Sequence, residues 1–111
     1  MMSQKELLKG NTETLLLSLL AGEAMYGYQI VKEMEKRSSG YFRFKEGTLY
    51  PALHRLEKAG LVEGYWEEVD SVLPRRFYHI TSKGEKVLEE RLNEWRRFSR
   101  AVDSIMPAHV S

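Results

Sequence analysis

Leu15, Leu16, Leu19 and Leu20 recur at the spacing of one helical face and predict a first helix over about residues 4–21, ended by Gly22. Gly10 interrupts that pattern, and glycine costs roughly 1 kcal/mol relative to alanine inside a helix. It marks either a break or the close approach of another backbone. A second helix is expected from about Tyr26 to Arg37, with Tyr26, Ile30, Val31 and Met34 as its apolar stripe and Lys36 and Arg37 at its electronegative end. Ser38, Ser39 and Gly40 read as a loop. Tyr41, Phe42 and Phe44 are expected to anchor the following connection against the core.

Glu46 to Gly60 carries two unlike faces at helical spacing. Leu49, Ala52, Leu53, Leu56 and Ala59 form the core side; Tyr50, Pro51, His54, Arg55 and Lys58 form the other, with Glu57 on its edge. Thr48 is a candidate N-cap that places Pro51 in the first turn, where its missing N–H costs nothing. A start near Lys45 instead puts Pro51 where it should bend the helix. Gly60 suits a left-handed stop. Leu61–Val69 and Arg75–Ile80 read as two strands of an antiparallel hairpin turned by Asp70–Pro74. Thr81 or Ser82 caps a final helix reaching about Met106, and Ser82 with Glu85 has capping-box spacing. Leu88, Leu92, Trp95, Ser99, Val102 and Met106 then form a heptad-like seam.

The expected fold is therefore mainly α with a small β-hairpin: a winged helix-turn-helix in residues 1–80, and a long C-terminal dimerisation helix in 81–111 packed with the N-terminal helix. Trp95, Phe98, Val102, Ile105 and Met106, with Leu88 and Leu92, offer more apolar surface than one small domain needs. A second copy is the simplest cover.

The net charge of the 111 residues is only +1, so charge distribution matters more than the total. Glu63, Glu67, Glu68 and Asp70 are clustered; Arg75, Arg76, Lys83 and Lys86 follow, opposed locally by Glu85. The chain has no cysteine, which excludes disulfides and thiol chemistry and agrees with a cytoplasmic location. The apolar run around Leu15–Ala21 is too short to span a bilayer, which takes about 20 residues. It also lacks the placement of a signal peptide. His54, His79 and His109 share no metal-ligand spacing, and no phosphate-cradling glycine loop or nucleophile–base arrangement appears. No enzyme activity, cofactor, metal or membrane contact is expected.

An aromatic, basic face on a third helix with a wing behind it fits the major groove of double-stranded DNA. Arg55 and Lys58, with Lys45 just before the helix, are phosphate candidates. Thr48, Tyr50 and His54 are base-edge candidates, and Pro51 permits close approach. Arg75 and Arg76 either contact the DNA backbone or neutralise Glu67, Glu68 and Asp70 across the hairpin. Tyr28 stands at the second helix's N-terminus, a place that holds phosphate well; the other reading there is that Tyr26 packs inward and Gly27 permits tight contact. Trp95 is either a dimer anchor or a stacking platform for a ligand. Leu7, Gly10, Thr14 and Ser18 share a face of the first helix with several small side chains, leaving room for such a ligand near Trp95 and Ser99. A protein-interaction module without DNA affinity, or a ligand carrier, remains the alternative.

Three blocks carry a resemblance: Met25-Tyr26-Gly27-Tyr28-Gln29-Ile30, then Glu46-Gly47-Thr48-Leu49-Tyr50-Pro51-Ala52-Leu53-His54-Arg55-Leu56-Glu57, and Arg75-Arg76-Phe77-Tyr78-His79-Ile80-Thr81 with Gly84. In these the chain resembles the PadR family of transcriptional regulators, in its smaller form with a single C-terminal helix. The resemblance implies a homodimeric repressor on an imperfect palindrome. Its third helix enters the major groove, and its hairpin lies on the backbone. It further implies a dimer built by first and last helices, where a planar aromatic effector stacks between paired tryptophans, here Trp95. The wing tip Asp70-Ser71-Val72-Leu73-Pro74, which has no glycine, and the acidic strand Tyr65-Trp66-Glu67-Glu68 depart from that pattern.

Overall fold

The computed structural model describes residues 10–69 and 73–106. Its elements are α1 (Thr12–Gly22), β1 (Met25–Tyr26), α2 (Gly27–Arg37), α3 (Glu46–Lys58), β2 (Val62–Glu68), β3 (Pro74–Ile80) and α4 (Ser82–Ile105). Gly10 has φ +86° with open space around it, so it is a break and not a close approach. Leu7 and His109 lie outside the described residues, as do Asp70, Ser71 and Val72 of the turn.

Leucines of α1 meet the inner faces of α2 and α3 in a single core. Leu16, Leu17, Ile30, Leu49, Leu53 and Leu56 are each fully buried, a burial that contributes about 1.5–3 kcal/mol per side chain. The link between α2 and α3 is folded on itself: the Ser38 hydroxyl donates to the Met34 carbonyl at 2.8 Å and accepts from the Phe42 N–H at 2.9 Å. Phe44 is buried and Phe42 half-buried. Tyr41, expected to anchor this link, is exposed.

Lys45 is extended, and α3 begins at Glu46, so Thr48 is not the cap but lies in the first turn. Buried Phe44 and Leu49 hold both sides of that start against the core. Pro51 therefore sits inside the helix, where the Gly47 carbonyl lacks its usual donor. At the other end Gly60, at φ +77°, donates to Glu57 and Leu61 donates to Leu56, at 3.0 and 2.9 Å. This is the paired-bond stop that a left-handed glycine allows. Ala59 is the exposed C-cap, not the core residue that its spacing suggests.

The hairpin is antiparallel with Val62 opposite Ile80 and Trp66 opposite Arg76. A third strand joins it: Met25 pairs with Tyr78 and Tyr26 with Phe77, giving the sheet order β1-β3-β2. Two residues are too few to show periodicity, so β1 has no signature in the sequence. The inner sheet face, through Met25, Val62 and Tyr78, closes the core.

Thr81 caps α4: its hydroxyl accepts from the Gly84 N–H at 3.0 Å and donates to the Gly60 carbonyl at 2.7 Å. The Ser82–Glu85 box is thus displaced by one residue. Leu88 is buried and Leu92 packs beside it, but Trp95, Phe98, Ile105 and Met106 are exposed, Ile105 at 80%. Ser99 and Val102 are half-exposed, so the distal seam is uncovered on this chain.

Candidate nucleic-acid interface

The N-termini of α2 and α3 and the wing enclose an open groove of about 720 Å³. Tyr26 at the end of β1 lines it with Gly27 and Tyr28 of α2; Lys45 just before α3 with Glu46, Leu49 and Tyr50 of α3; and Trp66, Arg75, Arg76 and Tyr78 from the wing. Thr48, Pro51, Arg55 and Lys58 follow spacings of three and four, and with His54 they cover the outer side of α3, all exposed. The candidate DNA contacts therefore divide into a groove set and an outward set on α3.

Tyr50 leans back across the foot of α2. A Cβ on Gly27 would lie 2.9 Å from its Cζ, closer than real Cβ contacts, so the absent side chain makes room for this ring. The tight-contact reading of Gly27 holds, and its neighbour is α3. Tyr26 is half-buried and edge-on to Phe77, with centroids 5.2 Å apart. Burial raises the pKa of the Tyr50 hydroxyl, aided by the negative charge of Glu46 and opposed by Arg75. The Gln29 side chain accepts from the Tyr26 N–H at 3.1 Å, tying off one free donor at the α2 start. Tyr28 is 59% exposed, with Lys32 Nζ 5.4 Å from its ring.

The two adjacent arginines behave differently. Arg75 is exposed, its guanidinium 5.3 Å from the Tyr26 ring. Arg76 turns under the wing and donates through Nη2 to Glu57 Oε2 of α3 at 2.5 Å. Desolvation works to lower the Arg76 pKa, but the Glu57 carboxylate outweighs it and the net shift is upward. Among the described residues Arg76 pairs with neither Glu67 nor Glu68, so its partner is on a different element from the one that charge counting singled out. Glu57 and Gly64 were missed in this role; the only signal was a lone glycine in a strand otherwise rich in bulky residues.

A second cavity of about 430 Å³ lies between α1, α4 and the α2–α3 link, lined by Asn11, Thr14, Leu15, Ser18, Tyr41, Phe42, Arg91, Leu92 and Trp95. It joins Thr14 and Ser18 to Trp95, as the small-residue face suggests. Gly10 borders an adjoining hollow beside Trp95 and Phe98. Ser99 lies one turn beyond the lining. Tyr41, Phe42 and Arg91 were not anticipated; Arg91 stands four residues from Trp95, one turn along the same face. Among the described residues no cluster of three or more His, Asp or Glu could hold a metal, and no helix is long and apolar enough to cross a membrane.

Three packed helices, a hairpin wing behind the third and a long closing helix define a winged helix-turn-helix protein. Residues 16–90 match the model of the transcriptional regulator PadR-like family. The chain belongs to that family. It is similar to the Mycobacterium tuberculosis transcriptional regulator Rv3488, at 32% identity over 78% of each chain. A PadR-like transcriptional regulator from Bacillus cereus superposes with a TM-score of 0.81 at 32% identity, covering 93% of this chain and 98% of that one. The fold also matches Bacillus subtilis PadR, solved in complex with operator DNA, with a TM-score of 0.67 at 22% identity over 74% of this chain and 46% of that one.

Proposed function

We propose that the chain is a homodimeric DNA-binding repressor whose α3 enters the major groove and whose release is controlled by a planar aromatic ligand between α1 and α4. The observation that carries the DNA reading is the division of the cations. Lys45 and Arg75 line the groove, Arg55 and Lys58 stand on the outer side of α3, and all four are exposed and make no ion pair among the described residues. Cations left free in this way release counterions when they meet phosphates. On the helix face between them, Thr48, Tyr50 and His54 offer hydroxyl and imidazole groups to base edges. Tyr28 and Pro51 complete the contact surface.

The dimer rests on the exposed seam of α4. Trp95, Phe98, Val102, Ile105 and Met106 lose water contact only against another apolar surface, and a two-fold copy supplies one of the same character. Two α3 helices then face successive major grooves of an imperfect palindrome. A ligand in the Trp95 cavity controls binding only if it favours a dimer geometry that misplaces those helices; equal affinity for both states changes nothing.

The test is fluorescence anisotropy with a duplex from the gene's own upstream region, alongside sedimentation of the free protein. Binding by a dimer, with affinity falling steeply as salt rises, is expected. A monomer, or absence of binding to both this and random duplexes, refutes the reading and favours a protein-interaction module.

A further inference from the structure

Arg76 lines the groove together with Trp66 and Tyr78, and its guanidinium is bonded across to Glu57 of α3. Three independent features hold it there. Its Nη2 meets Glu57 Oε2 at 2.5 Å. Its guanidinium carbon stands 5.7 Å from the ring centroids of both Trp66 and Tyr78. Beneath it is Gly64, where a Cβ would lie 2.6 Å from the guanidinium carbon and 2.8 Å from Nε. Any side chain at Gly64 would displace the arginine. The strand is thus shaped to let this one side chain pass.

We propose that Arg76 and Glu57 form a strut that fixes the angle between α3 and the wing, making Arg76 a positioning residue for DNA recognition and not a phosphate ligand. The proposal rests on the DNA-binding reading above. Arg76 spends its charge on Glu57, while Arg55 and Arg75 keep theirs. Glu57 is the carboxylate on the edge of an otherwise basic face, and its place there follows from the strut. Without that role it would only repel the DNA backbone.

The two roles give opposite signs for Glu57→Gln. As a competitor that withholds Arg76 from phosphate, Glu57 would weaken binding, so its neutralisation would tighten the complex. As half of a strut, its neutralisation loosens α3 and weakens the complex, by about fivefold for the loss of roughly 1 kcal/mol of positioning. The measurement is anisotropy across a salt series with the upstream duplex, for wild type, E57Q, R76Q, R76K and R55Q. The expected result is weaker binding for E57Q and R76Q with the wild-type salt slope. In R55Q the slope is shallower by about 0.9 units, the contribution of one phosphate contact. R76K, which keeps the charge but not the planar fork between the rings, stays as weak as R76Q.

Tighter binding by E57Q overturns the proposal, as does a slope loss in R76Q equal to that in R55Q or full recovery in R76K. Wild-type protein that binds no duplex overturns the DNA reading and the positioning role together. Wild-type binding with no coupling between positions 57 and 76 in a double-mutant cycle overturns the positioning role alone.

Discussion

Gly84→Ala sets two effects of opposite sign against each other. Gly84 is the third residue of α4, and replacing a helical glycine by alanine ordinarily stabilises by up to about 1 kcal/mol. Here the new Cβ would collide with the Leu61 carbonyl oxygen and lie 2.7 Å from Ile80 Cγ1 and 3.0 Å from the Leu61 carbonyl carbon. The oxygen cannot swing aside cheaply, because it accepts the Thr81 N–H at 3.0 Å. Moving α4 outward instead strains the Gly84–Thr81 cap and the Thr81–Gly60 hydrogen bond. Overpacking costs typically about 1–3 kcal/mol, and each weakened hydrogen bond about 1 kcal/mol. Set against the propensity gain, the net expectation is a loss of about 1–3 kcal/mol. Gly47→Ala is the control: Gly47 lies in the first turns of α3 with nothing within 4 Å of its would-be Cβ, so the same substitution leaves stability unchanged or raises it by up to about 1 kcal/mol. Urea unfolding followed by far-ultraviolet circular dichroism measures both at one protein concentration. Gly84→Ala as stable as wild type would refute the close-approach account of the α3–α4 junction.

Tyr50→Phe tests the burial of the Tyr50 hydroxyl. A group whose folded pKa is raised keeps its stabilising effect below its ordinary value of 10.0 and loses it as pH rises through the folded value. Stability should therefore fall more steeply above pH 10 in wild type than in the variant; parallel curves from pH 8 to 11 would reject that environment. Trp95→Ala should remove the fluorescence quenching produced by planar aromatic compounds, leaving the response of Trp66 alone. Full quenching in the variant would rule out the α1–α4 cavity as their site.

Amphipathic spacing made the order of three helices, hairpin and long helix legible in the sequence, because a residue's burial follows its place in a 3.6- or 2-residue period. It also separated the inner face of α3 from the outer one: Leu49, Ala52, Leu53 and Leu56 are buried, while Thr48, Tyr50, His54, Arg55 and Lys58 are exposed. Gly60 as the stop of α3 was readable for a local reason, since a positive φ strongly favours glycine.

Contacts between elements distant in the chain were not written in any period. The α3 start was settled by the core's hold on Phe44 and Leu49, not by the intrinsic capping preference of Thr48. β1 exists because β3 offers it an edge, which no two-residue segment announces. Charge counting offered Arg76 either the DNA backbone or the carboxylates across the hairpin, yet the turn of the sheet carries it to Glu57, nineteen positions away. The same is true of the glycines. Sequence alone shows where a side chain is missing; only the tertiary structure shows that Tyr50 fills the space at Gly27, Arg76 the space at Gly64 and the Leu61 carbonyl the space at Gly84. Periodicity determined which residues face inward. What they meet was decided by packing, because steric fit and ion pairing depend on distances through space, not along the chain.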